Sequence, residues 1–153
     1  TFTLVLPLGK MDEVKKAFSD FQNPEIPLPE VFSPKILVVE DDPINVEYMK
    51  AALSRPGFDV HFTVDYDETL HWLELNKGNL PHLIFMDIKL PGKSGFQLTE
   101  QIKKLYAGIP VVALTAFTSE VDKDKAFKAG CSRFVSKPVN KKELYKILNE
   151  MLN

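Results

Sequence analysis

Lys35-Ile36-Leu37-Val38-Val39-Glu40-Asp41-Asp42-Pro43 is the stretch on which the fold turns. Ile36 to Val39 is an unbroken apolar run with no polar alternation, the mark of a strand buried on both faces. It stops abruptly at three acids. Asp42-Pro43 then reads as a helix start, with Asp42 as N-cap and Pro43 at the first helical position, where a missing N–H costs nothing. A doubly buried strand that feeds a helix is the beginning of a series of βα units.

Downstream the series continues. The patterning predicts a first helix to about Ser54, stopped by Pro56-Gly57, and a second strand over Asp59 to Thr63. A second helix is expected over Asp67 to Asn76, with Leu70, Leu73 and Trp72 facing inward and Gly78 just past its end. His82 to Met86 reads as a third strand, and Gly95 to Tyr106 as a third helix after the Pro91-Gly92 loop. Val111 to Leu114 is a fourth strand. Ser119 with Asp122 resembles a capping box for a fourth helix, which ends at Ala129 with Gly130 at its C′ position. Arg133 to Ser136 is a fifth strand, and Asn140 with Glu143 caps a fifth helix that runs to about Leu152. Five βα units with short connections argue for an α/β fold with a parallel sheet and helices on both faces. Right-handed crossovers leave few topologies.

Upstream, Pro24, Pro27, Pro29 and Pro34 punctuate residues 22–34, which reads as a linker with a boundary near Ser33. Before it, Thr1 to Leu6 alternates as a strand and Met11 to Phe21 has helical spacing. One strand and one short helix cannot form a core. Residues 1–21 are therefore expected to dock on the main domain or to be the remnant of a preceding one, with residues 35–153 as the complete domain. The chain starts with Thr1 rather than Met, which suggests a piece of something longer.

The 153 residues carry 19 basic and 21 acidic side chains, a formal net charge of −2. That balance excludes a generically basic nucleic-acid binder and an acidic disordered tail. Cys131 is the single cysteine, so no internal disulfide exists and a reducing compartment is expected. No apolar run approaches the ~20 residues of a membrane span, and no signal peptide is visible. His61, His71 and His82 lack metal-site spacing. They read as structural or surface residues. Lys123, Lys125 and Lys128 read as a solvated helix face.

In open parallel sheets, ligands bind outside the carboxyl ends of the strands. There stand Glu40, Asp41 and Asp42 after strand one, Asp87 after strand three, Thr115 and Ala116 after strand four, and Lys137-Pro138 after strand five. Singly, each has a plain structural account. Asp42 is a helix cap, Asp87 suits a turn before Pro91-Gly92, Thr115 is a common strand residue and Lys137 a solvated lysine. Together, four neighbouring strands deliver acids, a hydroxyl and an ammonium to one end of the sheet. Clustered carboxylates want a cation, and hard oxygen ligands with open water positions suit Mg2+. A carboxylate can act as nucleophile towards phosphorus and form an aspartyl phosphate. A lysine and a hydroxyl can hold the remaining phosphate oxygens.

These residues resemble the receiver domain of two-component response regulators. The resemblance is carried by Ile36-Leu37-Val38-Val39-Glu40-Asp41-Asp42, by Leu83 to Gly92 with Gly95, by Val111-Val112-Ala113-Leu114-Thr115-Ala116, and by Phe134-Val135-Ser136-Lys137-Pro138. It implies a doubly wound sheet of order 2-1-3-4-5. It implies Asp87 as phosphoacceptor, Asp41 as a direct Mg2+ ligand, Glu40 as a ligand through water and the Lys89 backbone carbonyl as a third protein ligand. Thr115 would follow the phosphate and Phe134 would change rotamer with it. Lys137 would pair with the phosphate, and its bond to Pro138 would be cis. Partners by the same resemblance are a histidine kinase or a histidine phosphotransfer protein, docking near Ile44 to Leu53. Neither nucleic acid nor membrane contact is implied, a weak homodimer is compatible, and the location is cytoplasmic.

Thr1 to Leu8 is similar to the last strand of a histidine-kinase ATP-binding domain, which points to the carboxyl-terminal receiver of a hybrid sensor kinase. None of the kinase's nucleotide motifs is present, so no ATP binding is expected and whether the fragment counts as an enzyme stays open. A haloacid-dehalogenase-like phosphatase wants a second acid where Lys89 stands. A flavodoxin-type module wants a Ser/Thr-rich loop where the acids stand. A non-phosphorylated pseudo-receiver, serving only as an interaction surface, is the remaining alternative.

Overall fold

The structure, a computed structural model, describes residues 33–55, 57–116 and 119–152. The strand and helix expected over residues 1–21, and nearly all of the 22–34 linker, lie outside the described residues. Among the described residues ten elements alternate: β1 Lys35–Val39, α1 Pro43–Ala52, β2 Asp59–Thr63, α2 Tyr66–Leu75, β3 Leu83–Asp87, α3 Gly95–Leu105, β4 Val111–Thr115, α4 Glu120–Ala129, β5 Arg133–Ser136 and α5 Lys141–Leu152. All strand pairs are parallel, in the order β2-β1-β3-β4-β5. The expected fold class and strand order are both present.

β1, β3 and β4 are buried at every position, which is why their sequences do not alternate. The two-residue period instead sorts their side chains between two cores. Ile36, Val38, Leu83, Phe85, Val112, Leu114 and Val135 pack with Met49, Ala52 and Leu53 of the α1 segment and with Leu144, Ile147 and Leu148 of α5. Leu37, Val39, Ile84, Met86, Val111 and Ala113 pack on the other side with Leu73, Leu98, Ile102 and Ala126 from α2, α3 and α4. Each such side chain contributes about 1.5–3 kcal/mol by leaving water. A one-residue slip in any central strand would exchange the two cores.

The helix starts follow from local chemistry. Asp42 caps α1 by accepting from the backbone N–H of Ile44 and Asn45. Ser94 and Gln97 form a reciprocal capping box on α3. Ser119 caps α4, accepting from the Asp122 N–H, and Gly130 ends that helix at φ 107°, a left-handed turn a side chain would strain. Several boundaries differ from expectation: α1 ends at Ala52, His82 lies before β3 and Tyr106 is the C-cap of α3. α2 begins at Tyr66 rather than Asp67, because the Asp65 side chain caps it by accepting from the Glu68 N–H, and it ends at Leu75 rather than Asn76. Asn76 is then the C-cap, and Gly78 falls outside it. Finally, Asp87 and Thr115 are the last residues of their strands rather than the first after them. Both remain in register, Asp87 opposite Leu114 and Thr115 opposite Ser136.

Gly95 has the tightest surroundings of the described glycines. A Cβ there would lie 2.2 Å from the Asp87 carbonyl oxygen and 2.7 Å from the Ile88 Cα, both backbone atoms that cannot rotate aside. The Gly95 N–H also donates to the Ile88 carbonyl at 2.8 Å. The first residue of α3 is thus seated on the end of β3. Gly95→Ala is expected to lower stability by about 1–3 kcal/mol through overpacking. Urea unfolding measures this, and a midpoint equal to wild type would show that β3 and α3 separate without cost.

Candidate functional site

Parallel strands of nearly equal length bring their carboxyl ends to one edge. β1 ends at Val39, so Glu40 and Asp41 follow it over that edge, beside Asp87 at the end of β3. Thr115 closes β4, and Lys137 leaves β5 next to it, its N–H donating to the Thr115 carbonyl at 2.7 Å. The Glu40 N–H donates to the Thr63 carbonyl at 3.0 Å, which fixes the start of the acidic loop on β2.

The acids meet as expected. Carboxylate oxygens of Glu40, Asp41 and Asp87 all lie within 4.8 Å of one another. Their surroundings differ sharply. Glu40 is 1% exposed and Asp87 4%, whereas Asp41 faces solvent. Between the two buried carboxylates sits one ammonium: Lys137 Nζ is 2.6 Å from Glu40 Oε2 and 3.1 Å from Asp87 Oδ1. Removing one partner from such a buried cluster leaves an uncompensated charge.

Glu40 is fully engaged by the protein. Its Oε1 accepts from the Asp42 N–H at 3.1 Å, and its Oε2 accepts from Lys137. That use of both oxygens favours contact with a cation through water. Asp41, exposed and adjacent, has the open side that a directly held, partly hydrated Mg2+ needs. On Asp87, Oδ1 also accepts from the Lys89 N–H at 3.2 Å. This hydrogen bond turns the residue after next back over the acceptor and places the Lys89 backbone at the site. The all-oxygen donor set therefore fits a hard divalent cation.

Burial pushes the Asp87 carboxyl up to about 6, and the Glu40 charge adds to the rise against the opposing pull of Lys137 and the Lys89 N–H. Burial works against the Lys137 ammonium, but the Glu40 hydrogen bond and the charges of Asp87 and Glu40 outweigh it and hold its pKa above the ordinary lysine value.

The other expected residues are distributed as follows. Thr115 is buried at the rim of the acidic cluster, 4% exposed. Phe134 is half-buried on β5, opposite Ala113, and packs on the α2–α3–α4 side of the sheet. The Lys137-Pro138 bond is cis. Asp42 serves as a cap, and Phe117, the position two beyond Thr115 that would influence how fast water attacks an acyl phosphate, lies outside the described residues. His61 stacks on Trp72 at 4.7 Å, and His82 Nδ1 accepts from the Lys35 N–H, both away from the acids. Lys123 and Lys128 pair with Glu120 and Asp124 on the surface of α4. Cys131 is buried, which pushes its thiol up to about 11 and leaves it inert. Sequence reasoning did not foresee that Lys137 would be shared with Glu40, 97 residues away, nor the seat of Gly95 against Asp87. A glycine at the start of a helix, where most residues are tolerated, was the available signal for the latter.

Because Asp87 holds its proton more tightly folded than unfolded, its neutral form favours the folded state. That contribution is fully present below pH ~4 and is lost as pH rises through about 6. Asp87→Asn cannot ionise, so without divalent cation its stability advantage over wild type should grow between pH 4 and pH 6.5, by on the order of 2–3 kcal/mol. Urea unfolding at stepped pH reads this difference. A difference that stays flat would mean that Lys137 fully compensates the buried charge.

Comparison with known proteins agrees with this architecture. The family model described as "Response regulator receiver domain" matches residues 36–149. Hybrid signal transduction histidine kinase I of Dictyostelium discoideum is 35% identical over 124 residues, covering 77% of this chain. The chain spans only 7% of that protein's length. The polar-differentiation response regulator DivK of Brucella ovis is 32% identical over 107 residues, 69% of this chain and 85% of the relative. The crystal structure of a CheY-like response regulator receiver domain protein from Methanospirillum hungatei superposes with a TM-score of 0.70 at 30% identity, covering 78% of this chain and 93% of that one. With the family match spanning all five strands, this chain belongs to the response regulator receiver domain family of two-component signalling.

Proposed function

We propose that this domain accepts a phosphoryl group on Asp87 from a phosphohistidine and relays it to a histidine phosphotransfer partner. The observation that carries the reading is the meeting of three carboxylates within 4.8 Å with one lysine ammonium bridging the two buried ones. Glu40, Asp41 and Asp87, with the Lys89 backbone carbonyl, would hold Mg2+, which when bound neutralises charge on the incoming phosphoryl group.

In the transfer, an Asp87 oxygen forms a bond to phosphorus while the donor's nitrogen–phosphorus bond breaks, its electron pair returning to the imidazole. Asp87 is aimed by the end of β3 and by the Lys89 N–H on Oδ1. Lys137 exchanges its contact with the Asp87 carboxylate for one with the new phosphate oxygens while Glu40 keeps hold of its ammonium. Thr115 donates its hydroxyl to the phosphate, the segment after β4 moves inward, and Phe134 turns into the space it leaves. That biases a two-state surface on α4, β5 and α5.

Similarity to the hybrid kinase supports a place in a relay of this kind, with residues 1–21 as the end of a kinase domain and 22–34 as linker. A cytoplasmic location follows from such a relay, and no described helix is long and apolar enough to cross a membrane. Neither Lys89 nor Phe117, the residues two beyond Asp87 and Thr115, carries a carboxylate or amide to orient an attacking water. The phosphoryl group should therefore be long-lived for this family, and its loss within seconds, with Mg2+ and no partner, would contradict that.

Incubation with acetyl phosphate and Mg2+, followed by intact-mass measurement, should show the gain of one phosphoryl group. Chelation of Mg2+ and Asp87→Asn should each abolish it. Lys137→Ala should slow it by roughly 10²-fold, the order expected for losing one preorganised contact to developing charge. No gain in wild type would favour the pseudo-receiver, and a gain that survives Asp87→Asn would move the acceptor elsewhere.

A further inference from the structure

We infer that Tyr48, on α1, is a positioning residue for Lys137. Its hydroxyl donates to the backbone carbonyl of Val139, two residues beyond the lysine and 91 residues from the tyrosine. The inference rests on the phosphoacceptor reading of the site.

Lys137 lies on a short connection between β5 and α5, and a lysine on a loose connection would not stay between two carboxylates. The connection is pinned at several points. At its start, the Lys137 N–H donates to the Thr115 carbonyl at 2.7 Å. At its end, Asn140 accepts from the Glu143 N–H at 2.8 Å as α5 begins. In the middle, the Val139 side chain is buried in the core that also holds Met49, Ala52 and Leu53 of the α1 segment, and its carbonyl is held by Tyr48. Tyr48 is thus the polar side chain from α1 that grips the backbone carrying Lys137. The position does not require an aromatic for burial, since Tyr48 is 39% exposed and lies outside both cores. Its hydroxyl is what it adds.

Tyr145 supplies an internal control. Its hydroxyl crosses in the opposite sense, from α5 to the Ala52 carbonyl at the far end of α1, at 3.3 Å. Both tyrosines join α1 to the β5–α5 segment by one side-chain-to-backbone hydrogen bond, but only Tyr48 grips beside Lys137. A general role in holding α1 to α5 would make the two hydroxyls equivalent. A positioning role separates them.

The experiment compares Tyr48→Phe with Tyr145→Phe, each removing one oxygen, for the initial rate of phosphoryl uptake from acetyl phosphate with saturating Mg2+. Tyr48→Phe should slow uptake about fivefold, the equivalent of one neutral hydrogen bond, and Tyr145→Phe should leave it within twofold. In a Lys137→Ala background, Tyr48→Phe should cause no further fall, because the group it positions is gone. Hydrogen exchange at the Lys137 amide should quicken about fivefold in Tyr48→Phe, with the β1 and β3 amides unchanged. Equal effects of the two tyrosines, a full further fall in the Lys137→Ala background, or unchanged exchange at Lys137 would each overturn the inference. If wild type takes up no phosphoryl group, the phosphoacceptor reading fails, while exchange at the Lys137 amide still decides whether Tyr48 anchors that loop.

Discussion

Two carboxylates that are almost wholly removed from water sit on either side of a single ammonium. Glu40 and Asp87 repel one another, and burial makes each charge costly. Lys137, 2.6 Å from one and 3.1 Å from the other, makes the arrangement tolerable without making it relaxed. Burial keeps the Asp87 pKa raised to about 6 despite the lysine. A site held in that condition gains from any added positive charge. The proposed metal binding and phosphoryl transfer would both draw on this electrostatic imbalance.

The sheet exists to maintain this geometry. The three charged groups come from the ends of β1, β3 and β5, which are aligned only if every strand keeps its register. Register is enforced by the two cores, because a slip of one residue would turn each strand's apolar set towards the wrong helices. The backbone at the edge is then tightened locally. Gly95 sits directly on the Asp87 carbonyl, the Lys89 N–H returns to the Asp87 carboxylate, and Tyr48 holds the carbonyl two residues after Lys137. Core packing sets the position of the site to within a residue, and these hydrogen bonds and close approaches set its distances.

Much of this was legible in the order of residue types. Ile36 to Val39 and Leu83 to Met86 are continuous apolar runs, and only a strand covered on both faces uses such a run this close to a helix cap. Asp42-Pro43 and Ser119 with Asp122 signal helix starts by their own hydrogen-bonding capacity, and Asp42 and Ser119 serve as caps. The start of α2 at Tyr66 rather than Asp67 was not legible, because it depends on the Asp65 side chain reaching the Glu68 N–H. Phe134 was legible as an aromatic on a strand, while its half-buried place opposite Ala113 depends on the neighbouring strand.

The sequence by itself determined the alternation of strand and helix, the doubly buried strands and the types of residue available at the carboxyl edge. Those properties have periods of two to four residues and are read within a single element. Tertiary structure alone decided that Lys137 reaches Glu40, that the Tyr48 hydroxyl finds Val139, that Gly95 leaves no room for a methyl group, and that Asp87 loses its water. Distance and desolvation belong to pairs of residues brought together by packing, and pairs separated by 91 and 97 positions leave no periodic trace in the chain.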